Sequence, residues 1–112
     1  MPSTTNYQPG DLVLLMFPFA HGTQTKKRPA LVILDTGDAD VLVARVTTQT
    51  HQTSYDIPIS DWQGAGLLLP SVVRLHKLAT LEKTLIGRHL GHLQPVDHQR
   101  ISATIQQICE VW

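Results

Sequence analysis

Only one stretch of this chain carries a helical apolar repeat, and it lies at the end. Ile101, Ile105, Ile108 and Trp112 recur at i, i+4, i+7 and i+11, the spacing of one face of about four helical turns. Pro95 stands where a first helical residue is favoured, and Asp97 complements the helix dipole. Every apolar run upstream has strand length. Leu12–Phe17 follows a Pro9-Gly10 turn signal, and Pro29–Leu34, Val41–Val46 and Ser71–Ala79 follow in turn. The polar, Gly-containing stretch Ala20–Arg28 reads as a loop. Tyr55–Ile59 alternates but contains Pro58, which suits an edge strand. Leu85-Ile86 and Leu90–Leu93, punctuated by Gly87 and Gly91, read as one more strand. Ser60-Asp61-Trp62-Gln63 fits a capping box and predicts one or two helical turns before Gly64, Gly66 and Pro70. Short strands closed by one helix predict a mainly β domain, a small twisted sheet or barrel covered by that helix. Residues 1–112 form a single domain, with 1–8 a frayed lead-in.

Composition narrows the function. Charged residues are 16% of the chain against 42% apolar, which excludes general disorder. Much of the remaining polarity comes from twelve Thr and nine Gln. Cys109 is the sole cysteine, so a disulfide scaffold and a four-ligand Cys/His zinc site are not expected, and Cys109 reads as inert packing. No apolar run approaches a membrane span, and the first residues lack the basic and apolar regions of a signal peptide. A cytoplasmic, reduced protein is the expectation. Nine Lys+Arg balance nine Asp+Glu, which argues against extended duplex binding. The balance is uneven, however. Residues 1–61 carry four basic and six acidic groups, residues 62–112 five and three, and Lys26-Lys27-Arg28 has no acid nearer than Asp35. Neutrality forbids a uniformly basic surface but allows a local basic notch.

Read in order, several segments resemble the PemK/MazF family of type II toxin–antitoxin toxins from Pro9 to the terminal helix. They are Gly10-Asp11-Leu12-Val13-Leu14, Phe17-Pro18-Phe19, Lys27-Arg28-Pro29-Ala30-Leu31-Val32 and Thr47-Thr48-Gln49. Asp61-Trp62-Gln63-Gly64-Ala65-Gly66-Leu67 and Pro70-Ser71-Val72-Val73-Arg74 are similar to the PemK-like branch in particular. The resemblance implies an SH3-like barrel of the PemK/CcdB type, a homodimer, and a ribosome-independent endoribonuclease that cleaves single-stranded RNA at short sequences. It implies no metal and no organic cofactor. It also implies a cognate antitoxin protein whose disordered segment covers the RNA groove, with operator DNA reached only through that antitoxin, and no membrane partner.

Metal-independent RNA cleavage uses the neighbouring 2′-hydroxyl as nucleophile and leaves a cyclic phosphate and a 5′-hydroxyl. Arg suits the charge on the five-coordinate phosphate, because its planar fork donates two hydrogen bonds and stays charged. Arg28 matches the arginine to which the family assigns catalysis, and Thr47 matches its catalytic threonine, a hydroxyl donor to a phosphoryl oxygen. Lys26 and Lys27 join Arg28 as RNA-binding candidates. Thr48 and Gln49 read or hold RNA, or serve the turn; Arg74 meets phosphate, or pairs with a carboxylate. Arg is a poor proton carrier, and Gln24 and Thr25 stand where some relatives carry a Glu. His21 and His51 flank the expected site and are candidates for base and acid. His76, His89, His92 and His98 read as surface or partly buried structural groups. Trp62 anchors the core or stacks a base, and the Ile101–Trp112 stripe faces the core or a dimer partner. The rival readings are a CcdB-like toxin that binds gyrase without catalysis, and a degenerate member that only binds antitoxin and modulates its operon.

Overall fold

The computed structural model describes residues 6–18 and 25–112. Six antiparallel strands form one sheet, β1 (Asp11–Pro18), β2 (Thr25–Leu34), β3 (Asp40–Thr47), β4 (Asp56–Pro58), β5 (Val72–Glu82) and β6 (Ile86–His92), followed by α1 (Pro95–Glu110). A short 3-10 turn at Lys83–Leu85 joins β5 to β6. The strand order is β4-β5-β3-β2-β1-β6. The mainly β class with a terminal helix is as expected, but the sheet is not closed, since β4 and β6 occupy opposite edges.

Both faces of the sheet are buried near its middle, which explains why the strand sequences are close to continuous apolar runs. One face presents Leu12, Leu31, Ala44, Val46, Val73 and Leu75, and packs against Ile59, Ala65, Leu67, Leu93 and Ile101. The other presents Val13, Leu15, Ala30, Val32, Val41 and Val43, partly covered by Tyr7, Leu81 and Ile86. The helix therefore lies on the first face, and the second holds only light cover.

Lys26-Lys27-Arg28 lies in β2, not in a loop. β1 runs on to Pro18, and its ladder carries these residues along in the pairs Leu15↔Arg28, Met16↔Lys27 and Phe17↔Lys26. Residues 60–66 form turns and no helix. The capping-box serine is spent elsewhere. Ser60 donates from both its hydroxyl and its N–H to Asp97 Oδ1, at 2.7 and 2.9 Å, and Asp61 N–H donates to Asp97 Oδ2 at 2.9 Å. Asp97 is thus a fully buried acceptor clamping α1 to the turn. That turn passes so close to β6 that a Cβ on Gly66 would stand 2.1 Å from the Leu90 carbonyl oxygen, and one on Gly91 2.2 Å from the Ala65 carbonyl oxygen. Two glycines make this crossing possible, and Gly66 also has φ +93°.

The helix presents buried Ile101 and half-buried Ile105 and Ile108 to the core. Trp112 lies beyond the end of α1 and is fully exposed, so it leaves the stripe. Cys109 is exposed as well and takes no part in packing. Trp62 is half-buried against the first core. No helix of the described residues is long and apolar enough to cross a membrane.

Candidate functional site

Strand alternation sorts the basic notch. Ala30 on β2 pairs with Arg45 on β3, and Val32 pairs with Val43. Paired residues share a face, as do residues two apart on one strand. Lys26 and Arg28 therefore point to the lightly covered face with Ala30, Arg45 and Thr47. Lys27 points to the other. Extending the ladder by two residues sets Arg28 level with Thr47 on adjoining strands. Arg28 is exposed and Thr47 half-buried. The Thr47 hydroxyl oxygen accepts the Gln49 N–H at 3.1 Å, which leaves the hydroxyl proton available to an outside acceptor. A guanidinium and a hydroxyl so placed present two hydrogen-bond donors toward one anionic group.

Around Arg28 the sheet surface sinks into a hollow of about 280 Å³, rimmed by Lys26, Arg28, Arg45 and Lys77 and floored by apolar side chains including Leu15 and Val43. Arg45 and Lys77 are exposed and were not candidates from sequence. Their signal lay in strand parity. In Val41-Leu42-Val43-Ala44-Arg45, Arg45 continues the row of Val41 and Val43, an unusual place for a cation unless that row ends at a site.

The other candidates lie around this pair. Thr48 lines a different hollow, of about 230 Å³, with Pro29, Leu67, Leu68, Leu69 and Arg88. Gln49 is exposed, and its backbone closes the turn on Thr47. His51 sits half-buried in the loop that follows. His21 lies outside the described residues. Arg74 is paired, with Nε 2.8 Å from Asp56 Oδ1 and a side chain 13% exposed. Asp56 also accepts the Thr53 hydroxyl at 2.6 Å and the Thr53 N–H at 3.0 Å, tying the loop after β3 to β5. Burial opposes ionisation of Asp56, yet the Thr53 hydroxyl, Arg74 and the Thr53 N–H outweigh it and hold its carboxyl down to about 2. Asp56 is thus a support of the site that no motif announced.

Three of the remaining histidines gather near Asp11 at the far end of the sheet. His92 Nδ1 lies 2.8 Å and His89 Nε2 3.5 Å from Asp11 Oδ1, while the rings of His92 and His98 stack at 5.9 Å. The Asp11 carboxyl also accepts the Gln8 N–H at 2.8 Å, a structural role that fits the Gly10-Asp11 turn. Among the described residues no group of three or more His, Cys, Asp or Glu is placed to hold a metal ion.

The fold has solved counterparts. A chain of a Deinococcus radiodurans MazE–MazF crystal structure superposes with a TM-score of 0.74 at 16% identity, covering 95% of this chain and 98% of its own. The Mycobacterium tuberculosis toxin MazF-mt6 gives 0.68 at 22% identity, covering 88% and 96%. A mycobacterial endoribonuclease in complex with its cognate antitoxin gives 0.69 at 20% identity, covering 92% and 94%. No curated protein sequence matches the chain. A sequence model of the PemK-like, MazF-like toxins of type II toxin–antitoxin systems matches residues 8–109, nearly the whole of the described sheet and helix, and the chain belongs to that family.

Proposed function

We propose that the protein is a metal-independent endoribonuclease that cleaves single-stranded RNA, including mRNA, and so halts translation and growth. The observation that carries this reading is the Ala30↔Arg45 pairing of β2 and β3, from which strand alternation assigns Arg28 and Thr47 to one open face. In the reaction the 2′-oxygen bonds to the adjacent phosphorus and the bond from phosphorus to the 5′-oxygen breaks. The 2′-hydroxyl gives up its proton and the departing 5′-oxygen takes one up, leaving a 2′,3′-cyclic phosphate and a 5′-hydroxyl. Negative charge grows on the non-bridging oxygens of the five-coordinate phosphorus. Arg28 offers them a charged, forked donor, and Thr47 adds a hydroxyl already oriented by Gln49. Lys26 lies on the same face and holds the RNA backbone near them.

The antitoxin-bound relatives support a cognate antitoxin as partner; a homodimer, and operator DNA reached only through that antitoxin, complete the proposed reading. The place of action is the cytoplasm, where the RNA is.

The test is incubation of the purified protein with mixed single-stranded RNA in EDTA, beside Arg28→Ala. Cleavage by the wild type, with cyclic-phosphate ends, and a loss of about 10²–10³ or more in the variant are expected. Intact RNA in both samples, with growth still arrested on expression, would refute the nuclease reading and favour gyrase binding.

A further inference from the structure

Arg45 on β3 and Arg74 on β5 are direct cross-strand partners. Like charges in that relation destabilise a sheet. Asp56 compensates Arg74, but among the described residues Arg45 has no carboxylate partner, and neither do Lys26, Arg28 and Lys77. These four cations, of nine in the chain, surround the 280 Å³ hollow, and no acid lines it. A protein so poor in charge has gathered nearly half its cations at one place, against their mutual repulsion. An anion is the counterpart that would offset this.

The form of the hollow says which anion. Its floor is apolar, with Leu15, Val43 and Leu81, and its cations stand on the rim. An apolar floor with a few polar groups at its edge suits a flat base whose phosphates meet the rim. The volume is near the lower end of small-ligand sites, enough for one nucleotide. Arg28 and Lys77 project from β2 and β5, two strands apart across β3, which is roughly 10 Å at the usual strand spacing. Both side chains line the hollow, so they can reach the two phosphates on either side of one nucleotide.

We propose that Arg45 and Lys77 bind the phosphate next to the scissile one, so that the hollow holds a nucleotide flanking the cleaved bond. The inference rests on the RNA-cleavage reading and adds to it a binding subsite with its own residues. Arg45 and Lys77 are then positioning groups, engaged equally in ground and transition states. Removing them weakens substrate binding and leaves the chemical step alone.

The experiment compares wild type, Arg45→Ala, Lys77→Ala, the double variant and Arg45→Lys. Cleavage of mixed single-stranded RNA gives KM and kcat. Binding of short, labelled 2′-O-methyl oligonucleotides of randomised sequence, which lack the nucleophile, gives the salt dependence of affinity. The double variant should raise KM roughly tenfold at moderate salt with kcat kept within about twofold. Each removed cation should lower the slope of log affinity against log salt by about 0.7, and Arg45→Lys should restore most of the binding. Arg45→Ala should hold or raise Tm, because it removes the clash with Arg74. Unchanged KM and slope in an actively cleaving double variant would overturn the proposal alone. A wild type that binds with these slopes but does not cleave would defeat the nuclease reading and leave the hollow an RNA-binding site without a scissile neighbour. A wild type that neither binds nor cleaves would defeat both.

Discussion

The Thr47 hydroxyl accepts from Gln49 and keeps its own proton for a second partner. Its value lies in that proton and not in the β-branched shape that also suits a strand. Thr47→Val preserves the shape and removes the donor, whereas Thr47→Ser preserves the donor. We expect Thr47→Val to lower kcat about 10²–10³-fold and Thr47→Ser to stay within about tenfold of wild type, with melting temperatures little changed. Single-turnover cleavage beside thermal melts checks this, and equal activity of the two variants would remove Thr47 from the reaction. As candidates, Arg28 and Thr47 were legible in the sequence because each sits in a short family motif. Arg45 was not, since its role depends on which face of β3 it occupies, and that is decided by pairing with a strand fifteen residues away. Lys27 shows the converse. It stands inside the basic notch in sequence, yet alternation turns it away from Lys26 and Arg28.

At the level of elements, the terminal helix was readable from its isoleucine spacing, and its first turn from Pro95. What the periodicity could not reveal is how the helix is held. Asp97 looks like a dipole complement, but it is buried and accepts two hydrogen bonds from Ser60 and one from Asp61, with Arg100 Nη1 3.2 Å away. Burial alone would favour the neutral acid, and the Asp61 and Ser60 donors reverse that, lowering its pKa. A long-range partner thus took the serine that the capping-box pattern assigned to local helix. The same competition explains β2, where pairing with β1 outweighed the loop-like composition around Lys26. Asp97→Ala would remove the buried acceptor that Ser60 and Asp61 share. It should lower unfolding stability by about 3–5 kcal/mol, while Ser60→Ala, which keeps the backbone donors, should lose about 1–2 kcal/mol. Urea unfolding of the two variants measures the difference, and similar small losses would show that the clamp does not hold α1.

Across the whole molecule, the equality of nine acids and nine bases conceals a division of labour. Asp11, Asp35, Asp56 and Asp97 are engaged in the frame. Asp35, for instance, meets Lys83 Nζ at 2.8 Å and accepts the Tyr7 and Gly37 N–H groups. None of the four lines the basic hollow, so the site is cationic although the formal charge is zero. The arrangement has a consequence in acid. Burial opposes the charge of each of these aspartates, but hydrogen bonds and neighbouring cations prevail, and all four carboxyls ionise below their ordinary range, Asp56 at about 2. Between the unfolded value near 3.8 and the lower folded values, the unfolded chain binds more protons, so stability falls as pH falls. Stability from these groups is therefore complete above about pH 5 and drains away toward about pH 2. Urea midpoints taken from about pH 6 downward should stay level in this respect until about pH 5 and then drop with increasing steepness. Asp56→Asn should start less stable and lose less over the same interval, because one of the four linked protons is gone. A wild-type midpoint that stays level to about pH 2 would mean that the four carboxylates do not brace the fold in the way their partners imply.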